Sequence, residues 1–178
     1  MNVGNSVTLE RNQTSERTRK IRVLFVCTGN ICRSPMAEAV FTHRVREAGL
    51  ENHIEADSAG TGNWHIDSAA HPGTLGILEE NGIEYCGVGR QISPDDLQNF
   101  DFVITMDDEH LSHVLRMEKK LGKGRAQVVP LLEFTPDIGV REVPDPYFIG
   151  GFDVVFFLVN EGCKALLQKI RNEYSIPC

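Results

Sequence analysis

The chain reads as an α/β protein, a parallel sheet with helices on both faces. Three observations predict this. Short apolar or β-branched runs recur along the chain and end near Val26, Ser58, Met106 and Leu131. Segments of helical spacing separate them. The first run, Ile21-Arg22-Val23-Leu24-Phe25-Val26, is almost continuously apolar, as a strand buried on both faces must be. Strands that alternate with helices build βαβ units with right-handed crossovers. The 178 residues suit one domain with a good core.

The elements follow in order. After the first strand, Ser34 reads as an N-cap and Pro35 as the first helical position. Met36, Val40, Phe41, Val45 and Ala48 then recur at helical steps, and Gly49 stops the helix. His53 to Ser58 is a short second strand, followed by the Gly-rich loop Ala59-Gly60-Thr61-Gly62-Asn63-Trp64. A helical segment spans about Gly73 to Asn81, and Ser93-Pro94-Asp95-Asp96 carries a cap-then-proline helix start. Phe102 to Met106 is the third strand, and Asp107 caps a helix to about Lys120. Gln127 to Leu131 is the fourth strand, and Glu133 to Gly151 reads as a loop. The last helix, about Phe152 to Asn172, sets Val155, Val159, Cys163, Leu166 and Ile170 on one core-facing stripe.

Composition narrows the function classes. Residues 1–20 are polar and aperiodic and read as a disordered extension; residues 21–178 form the domain. In the extension Arg11, Arg17, Arg19 and Lys20 outnumber Glu10 and Glu16, so the body is more acidic than the overall charge of −7. An acidic body argues against nucleic acid as a partner, which needs a basic footprint. No apolar run reaches the ~18–20 residues of a membrane span. Five scattered cysteines, Cys27, Cys32, Cys86, Cys163 and Cys178, do not form a secreted disulfide framework, and Cys27 and Cys32 lack companions for structural zinc. The chain reads as cytoplasmic, with reduced thiols. Nothing in the residues speaks to an oligomeric state.

The chemistry concentrates in Val26-Cys27-Thr28-Gly29-Asn30-Ile31-Cys32-Arg33-Ser34-Pro35, which joins the first strand to the first helix. In open parallel sheets ligands bind beyond the carboxyl ends of the strands, where this loop lies. Consecutive N–H groups in a tight loop, followed by a helix N-terminus, cradle an anion. Gly29 permits unusual dihedrals, and Asn30 tolerates the left-handed region better than most residues. Arg33 offers a planar fork for two phosphate oxygens. The same positive surroundings favour Cys27 as thiolate, and a thiolate beneath a bound phosphoryl group is a nucleophile. Ser34 is close enough to donate a hydrogen bond to that sulfur. The other reading, a buried strand-end cysteine beside a plain helix cap, does not account for strand, Gly-Asn turn and helix coming together here.

Val-Cys-Thr-Gly-Asn-Ile-Cys-Arg-Ser-Pro-Met-Ala-Glu resembles the signature of the low-molecular-weight protein tyrosine phosphatases. The resemblance covers about residues 21–174 and includes Asp57-Ser58-Ala59-Gly60, Phe102 to Asp107 and Val143-Pro144-Asp145-Pro146-Tyr147. It implies a three-layer αβα fold around a four-stranded parallel sheet, of the phosphotyrosine phosphatase I type. It implies hydrolysis of phosphotyrosine in a protein substrate through a cysteinyl-phosphate, without metal or other cofactor. It makes Asp145, between two prolines that fix its neighbours' φ angles, the general acid and then base. Thr28, Gly29, Asn30, Ile31, Cys32 and Ser34 become the remaining loop contacts, and Trp64 and Tyr147 the walls that flank an aryl ring.

Ile31 stands where the related arginine phosphatases carry threonine, so it resembles the tyrosine-directed form. Cys32 resembles the partner of a reversible disulfide that protects Cys27 from over-oxidation; the other reading is a small apolar filler. One departure stands out. The family often has a histidine that supports the loop asparagine, and here Gly87 takes its place, leaving the support of Asn30 open. His65 and His71 receive no role. Two further alternatives share the cradle. A thiol-dependent arsenate reductase needs redox cysteines past the third strand, and Met106 to His110 contains none. A binding module without catalysis is favoured only by Gly87.

Overall fold

The computed structural model describes residues 19 to 176. The extension expected at residues 1–20 lies outside them apart from its last two residues, as does Cys178. In order the elements are β1 (Ile21–Cys27), α1 (Arg33–Glu47), β2 (Ile54–Gly60), α2 (Pro72–Glu80), α3 (Asp96–Asn99), β3 (Phe102–Thr105), α4 (Asp108–Leu121), β4 (Gln127–Pro130), α5 (Pro146–Ile149) and α6 (Phe152–Tyr174). Two short 3-10 turns, Leu131–Phe134 and Pro136–Ile138, follow β4.

The four strands form one parallel sheet in the order β2-β1-β3-β4. The side-chain alternation of β1 builds the layers. Val23, Phe25 and Cys27 face a core shared with α1, α2 and α6. Leu24 and Val26 face a second core with α3 and α4, through Leu97 and Val114. Phe25 meets Phe41 of α1 edge to face, with ring centroids 5.5 Å apart. Each such fully buried side chain contributes about 1.5–3 kcal/mol. The three-layer α/β fold is the expected one.

The helix ends explain the loop geometry. Gly49 sits past the end of α1 at φ 68°, where a side chain is disfavoured. Asp107 caps α4 as expected, its Oδ1 accepting from the His110 N–H at 2.9 Å. Ser34, read as the cap of α1, is not one. The helix begins at Arg33, and Cys32 precedes it without a side-chain cap. Pro35 falls in the first turn rather than at its first position, where its missing N–H still costs nothing. The Ser34 hydroxyl has other partners. The segment after β4 is also less irregular than expected, since α5 forms within it with Asp145 as its N-cap.

Candidate active site

Cys27 ends β1, paired in register with Gly60 of β2. Gly60 is needed because a Cβ there would stand 2.7 Å from the Thr28 carbonyl oxygen and 3.2 Å from the Asn30 backbone nitrogen. The loop from Thr28 to Cys32 folds over the strand end and delivers Arg33 to the start of α1. Among the described residues, the N–H groups of Gly29, Asn30, Ile31 and Cys32 donate to no protein acceptor. Four successive free amides above a thiol form the anion cradle expected from the sequence.

Asn30 pays for the turn with a left-handed backbone, φ 55°. Its side chain is fully held. Oδ1 accepts from the Arg90 N–H at 2.9 Å, which fixes the amide's orientation. Nδ2 then donates to Ser34 Oγ at 2.9 Å and to Ser58 Oγ at 2.8 Å. Both hydroxyls are therefore acceptors toward Asn30, and each must direct its own proton elsewhere. Ser34 Oγ lies 3.0 Å from Cys27 Sγ and 3.4 Å from the Ala59 carbonyl, so its proton has two acceptors within reach once the sulfur is a thiolate. Ser58 donates to Glu38 Oε2 at 2.6 Å.

Arg33 is buried and its charge is compensated on two sides. Nη1 donates to Asp107 Oδ2 at 2.8 Å and to the Val143 carbonyl at 3.1 Å, while Nη2 donates to Asp145 Oδ2 at 2.9 Å. Asp145 also accepts the Tyr147 N–H at 3.1 Å, so its carboxyl is fixed from both ends. Burial works to raise the Asp107 carboxyl, but His110 and Arg33 outweigh it and hold it well below the ordinary carboxylate range. His110 Nδ1 lies 2.9 Å from Asp107 Oδ1, off the line of a well-formed hydrogen bond. The other ring nitrogen meets Thr28 Oγ1 at 2.8 Å. Through this buried histidine the front of the cradle is tied to the carboxylate that holds Arg33.

A cavity of about 270 Å³ opens above the loop, lined by Cys27 and Arg33 among others at its base and by Trp64, His65, Asp145, Tyr147 and Phe148 around it. Trp64 is 72% exposed and Tyr147 52%, so both rings stand at the surface. His71, given no role from sequence, packs edge to face on Tyr147 and stacks on Phe152 at 5.1 Å. Cys32 is buried behind the loop as a free thiol, pushed up to about 12 by burial and then by Cys27 and Asp145. Among the described residues no cluster of three or more His, Cys, Asp or Glu side chains is placed to hold a metal ion, and no helix is long and apolar enough to cross a membrane.

The structure thus brings Cys27, Thr28, Gly29, Ile31, Cys32, Arg33, Trp64, Asp145 and Tyr147 to one cavity, with Asn30 and Ser34 directly beneath it. Sequence reasoning missed Glu38, Tyr85 and His110, and read Asp107 only as a helix cap. Ser58 lay within a quoted motif without a role. Glu38, at the end of the quoted signature, and the motifs around Ser58 and Asp107 carried a signal; Tyr85 and His110 carried none.

Comparison with known proteins agrees with this geometry. The profile of the family described as low molecular weight phosphotyrosine protein phosphatase matches residues 22–175. The low molecular weight protein-tyrosine-phosphatase YfkJ of Bacillus subtilis is 46% identical over 154 residues, covering 86% of this chain and 97% of YfkJ. The YfkJ crystal structure superposes with a TM-score of 0.83 at 44% identity, covering 88% of this chain and 98% of YfkJ. A low molecular weight phosphotyrosine protein phosphatase of Schizosaccharomyces pombe is 44% identical over 137 residues, 76% of this chain and 86% of that protein. The crystal structure of DARP, a Drosophila arginine phosphatase, superposes with a TM-score of 0.81 at 32% identity, covering 85% of this chain and 98% of that one.

Proposed function

Because the chain belongs to the low molecular weight phosphotyrosine protein phosphatase family, we propose that it hydrolyses phosphotyrosine in proteins with Cys27, Arg33 and Asp145 as its catalytic residues. It is a phosphoric monoester hydrolase that acts through a cysteine nucleophile. The observation that carries the residue assignment is the Ser34 hydroxyl oxygen, 3.0 Å from Cys27 Sγ and within hydrogen-bond reach of it. A hydroxyl proton donated to the sulfur stabilises a thiolate both as nucleophile and as leaving group.

In the first step the loop amides and Arg33 hold the phosphoryl oxygens. The Cys27 thiolate attacks phosphorus, an S–P bond forms, and the P–O bond to the tyrosyl ring breaks. Asp145 gives its proton to the departing phenolic oxygen. In the second step the Asp145 carboxylate takes a proton from water. The water oxygen attacks phosphorus, the S–P bond breaks, and Cys27 leaves as a thiolate onto the Ser34 hydroxyl. Charge builds on the equatorial oxygens in both steps, where the amides and the guanidinium face it. Asp107 holds Arg33 throughout, so that the fork turns to phosphate without being re-formed.

The likeness to an arginine phosphatase makes substrate class the test. Ile31 lines the cavity with an apolar side chain that offers nothing to a guanidinium, while Trp64 and Tyr147 suit a flat ring. We expect kcat/KM for a phosphotyrosine peptide to exceed that for the matching phosphoarginine peptide by roughly 10- to 100-fold, the range that one pocket residue commands. Ile31→Thr should narrow the ratio. The reverse order of substrates in the native chain would move it to the arginine branch.

The free thiols fit a reducing, cytoplasmic setting. They also support a redox response. Peroxide oxidises the Cys27 thiolate to a sulfenic acid; Cys32 then attacks that sulfur, water leaves and a disulfide forms. Because burial keeps Cys32 protonated, the bridge should form slowly and faster at higher pH. Mass spectrometry of the peroxide-treated chain should show loss of two hydrogens between Cys27 and Cys32, with activity restored by dithiothreitol. Sulfinic Cys27 without a bridge would remove Cys32 from this role.

A further inference from the structure

We propose that Tyr85 is a positioning residue for phosphoryl transfer: its phenol, seated in space that Gly87 leaves open, secures the Glu38 carboxylate that anchors Ser58, Asn30 and the Ser34 hydroxyl beside Cys27. The inference rests on the phosphatase reading above and supplies the support that the missing histidine left open.

The line of contacts has a direction. Asn30 donates to both Ser34 and Ser58, and Ser58 passes its own proton to Glu38 Oε2 at 2.6 Å. The Tyr85 hydroxyl reaches the same oxygen at 2.8 Å. One oxygen that receives two hydroxyl protons acts purely as an acceptor, the role a carboxylate fills best. If Glu38 took up a proton and donated it to Ser58, Ser58 would face two donors, and its own proton would lose its acceptor. The ionised Glu38 therefore sets the polarity of the line, and Tyr85 is the donor that reinforces it from the far side.

Gly87 makes this possible. A Cβ at position 87 would stand 2.3 Å from the Tyr85 phenolic oxygen and 2.6 Å from its Cζ. A side chain at 87 and the phenol at its present place exclude each other. The phenol therefore occupies space that any side chain at position 87 would need.

Burial leaves the Glu38 carboxyl raised overall, which works against its charged form; the Ser58 and Tyr85 hydrogen bonds oppose this, Asp57 adds to it, and Arg90 opposes it. His43, Arg46, Glu84 and Cys86 line the shallow cavity beside it. The Tyr85 phenol is raised by burial first and then by Glu38, so it remains a proton donor at every pH at which the enzyme works. Hydrogen bonds to the charged form lower a carboxyl's pKa, so removing the phenol must raise that of Glu38. The carboxylate is the form present above that pKa, so on acidification the line should fail at a higher pH.

The test uses the full chain with p-nitrophenyl phosphate, comparing the native protein with Tyr85→Phe and with Gly87→Ala. The first variant deletes the hydroxyl and the second displaces it. Both should lower kcat about 10-fold, as expected for loss of a hydrogen bond to a charged group, with KM changed less than twofold because the amides and Arg33 still bind phosphate. Both should move the acid limb of kcat upward by about half a pH unit or more. A merely structural role would lower the melting temperature and leave that limb in place, which overturns the proposal, as do unchanged kcat and pH profile in both variants. Should Tyr85→Phe fail to fold, the pH profile of Gly87→Ala decides alone. Should the native chain hydrolyse no aryl phosphate, the phosphatase reading itself falls; an active native chain with unperturbed variants overturns only the role of Tyr85.

Discussion

Replacing Cys27 by serine is expected to abolish hydrolysis of aryl phosphates, by about 10⁴-fold or more, while leaving phosphate binding nearly intact. The two outcomes separate because attack and binding rest on different atoms. The sulfur is the only side-chain atom proposed to form a bond to phosphorus. A serine hydroxyl at neutral pH is not ionised, and the Ser34 hydroxyl 3.0 Å away would face a neutral oxygen instead of a thiolate. Binding rests on the free amides of Gly29 to Cys32 and on Arg33, which Asp107 and Val143 hold independently of residue 27. Calorimetric titration with inorganic phosphate should therefore give a dissociation constant within a few-fold of the native value. Acid-quenched native enzyme with p-nitrophenyl phosphate should show a phosphorylated Cys27 peptide that the variant lacks. Residual turnover above about one per cent of native would assign the nucleophile elsewhere.

Much of this site was legible because it is local in sequence. Strand, Gly-Asn turn and helix within Ile21 to Glu47 carry nucleophile, amides and guanidinium on one continuous stretch of chain. What the sequence hid depends on contacts between distant segments. Asn30 is held by Ser58 and Arg90, Glu38 by Tyr85, and Thr28 by His110 from the start of α4. No spacing rule announces those pairs, because the sheet brings them together only after the strands are ordered. Ser34 shows the limit from the other side. Its position suits an N-cap by propensity, but burial beside Cys27 and Asn30 gives its hydroxyl stronger partners than an orphan backbone amide. Gly87, which looked like a lost support, marks instead the space taken by a different one.

The second large effect is expected at Asp145. Asp145→Asn keeps the size and polarity of the side chain but removes the proton it must give and then take. For phosphotyrosine, whose leaving oxygen is strongly basic, kcat should fall by about 10²–10³-fold. For p-nitrophenyl phosphate the first step needs little protonation, because nitrophenolate leaves readily as an anion. The S–P bond should then form at a near-native rate and break slowly, since no carboxylate remains to activate water. The variant should show a burst of nitrophenol equal to the enzyme concentration, followed by slow turnover, with phosphocysteine accumulating. Arg33 loses one of its two carboxylate partners in this variant but keeps Asp107, so KM should change little. Loss of binding would instead appear as a raised KM for both substrates without a burst. The leaving-group dependence is the deciding observation: equal losses on phosphotyrosine and p-nitrophenyl phosphate with no burst would mean that Asp145 only positions Arg33. Native activity on phosphotyrosine would place the acid elsewhere. A burst confined to the good leaving group can arise only if one group protonates the leaving oxygen and also activates the water. Asp145 is the one carboxyl in this cavity whose side chain is fixed by both Arg33 and the backbone of its own short helix.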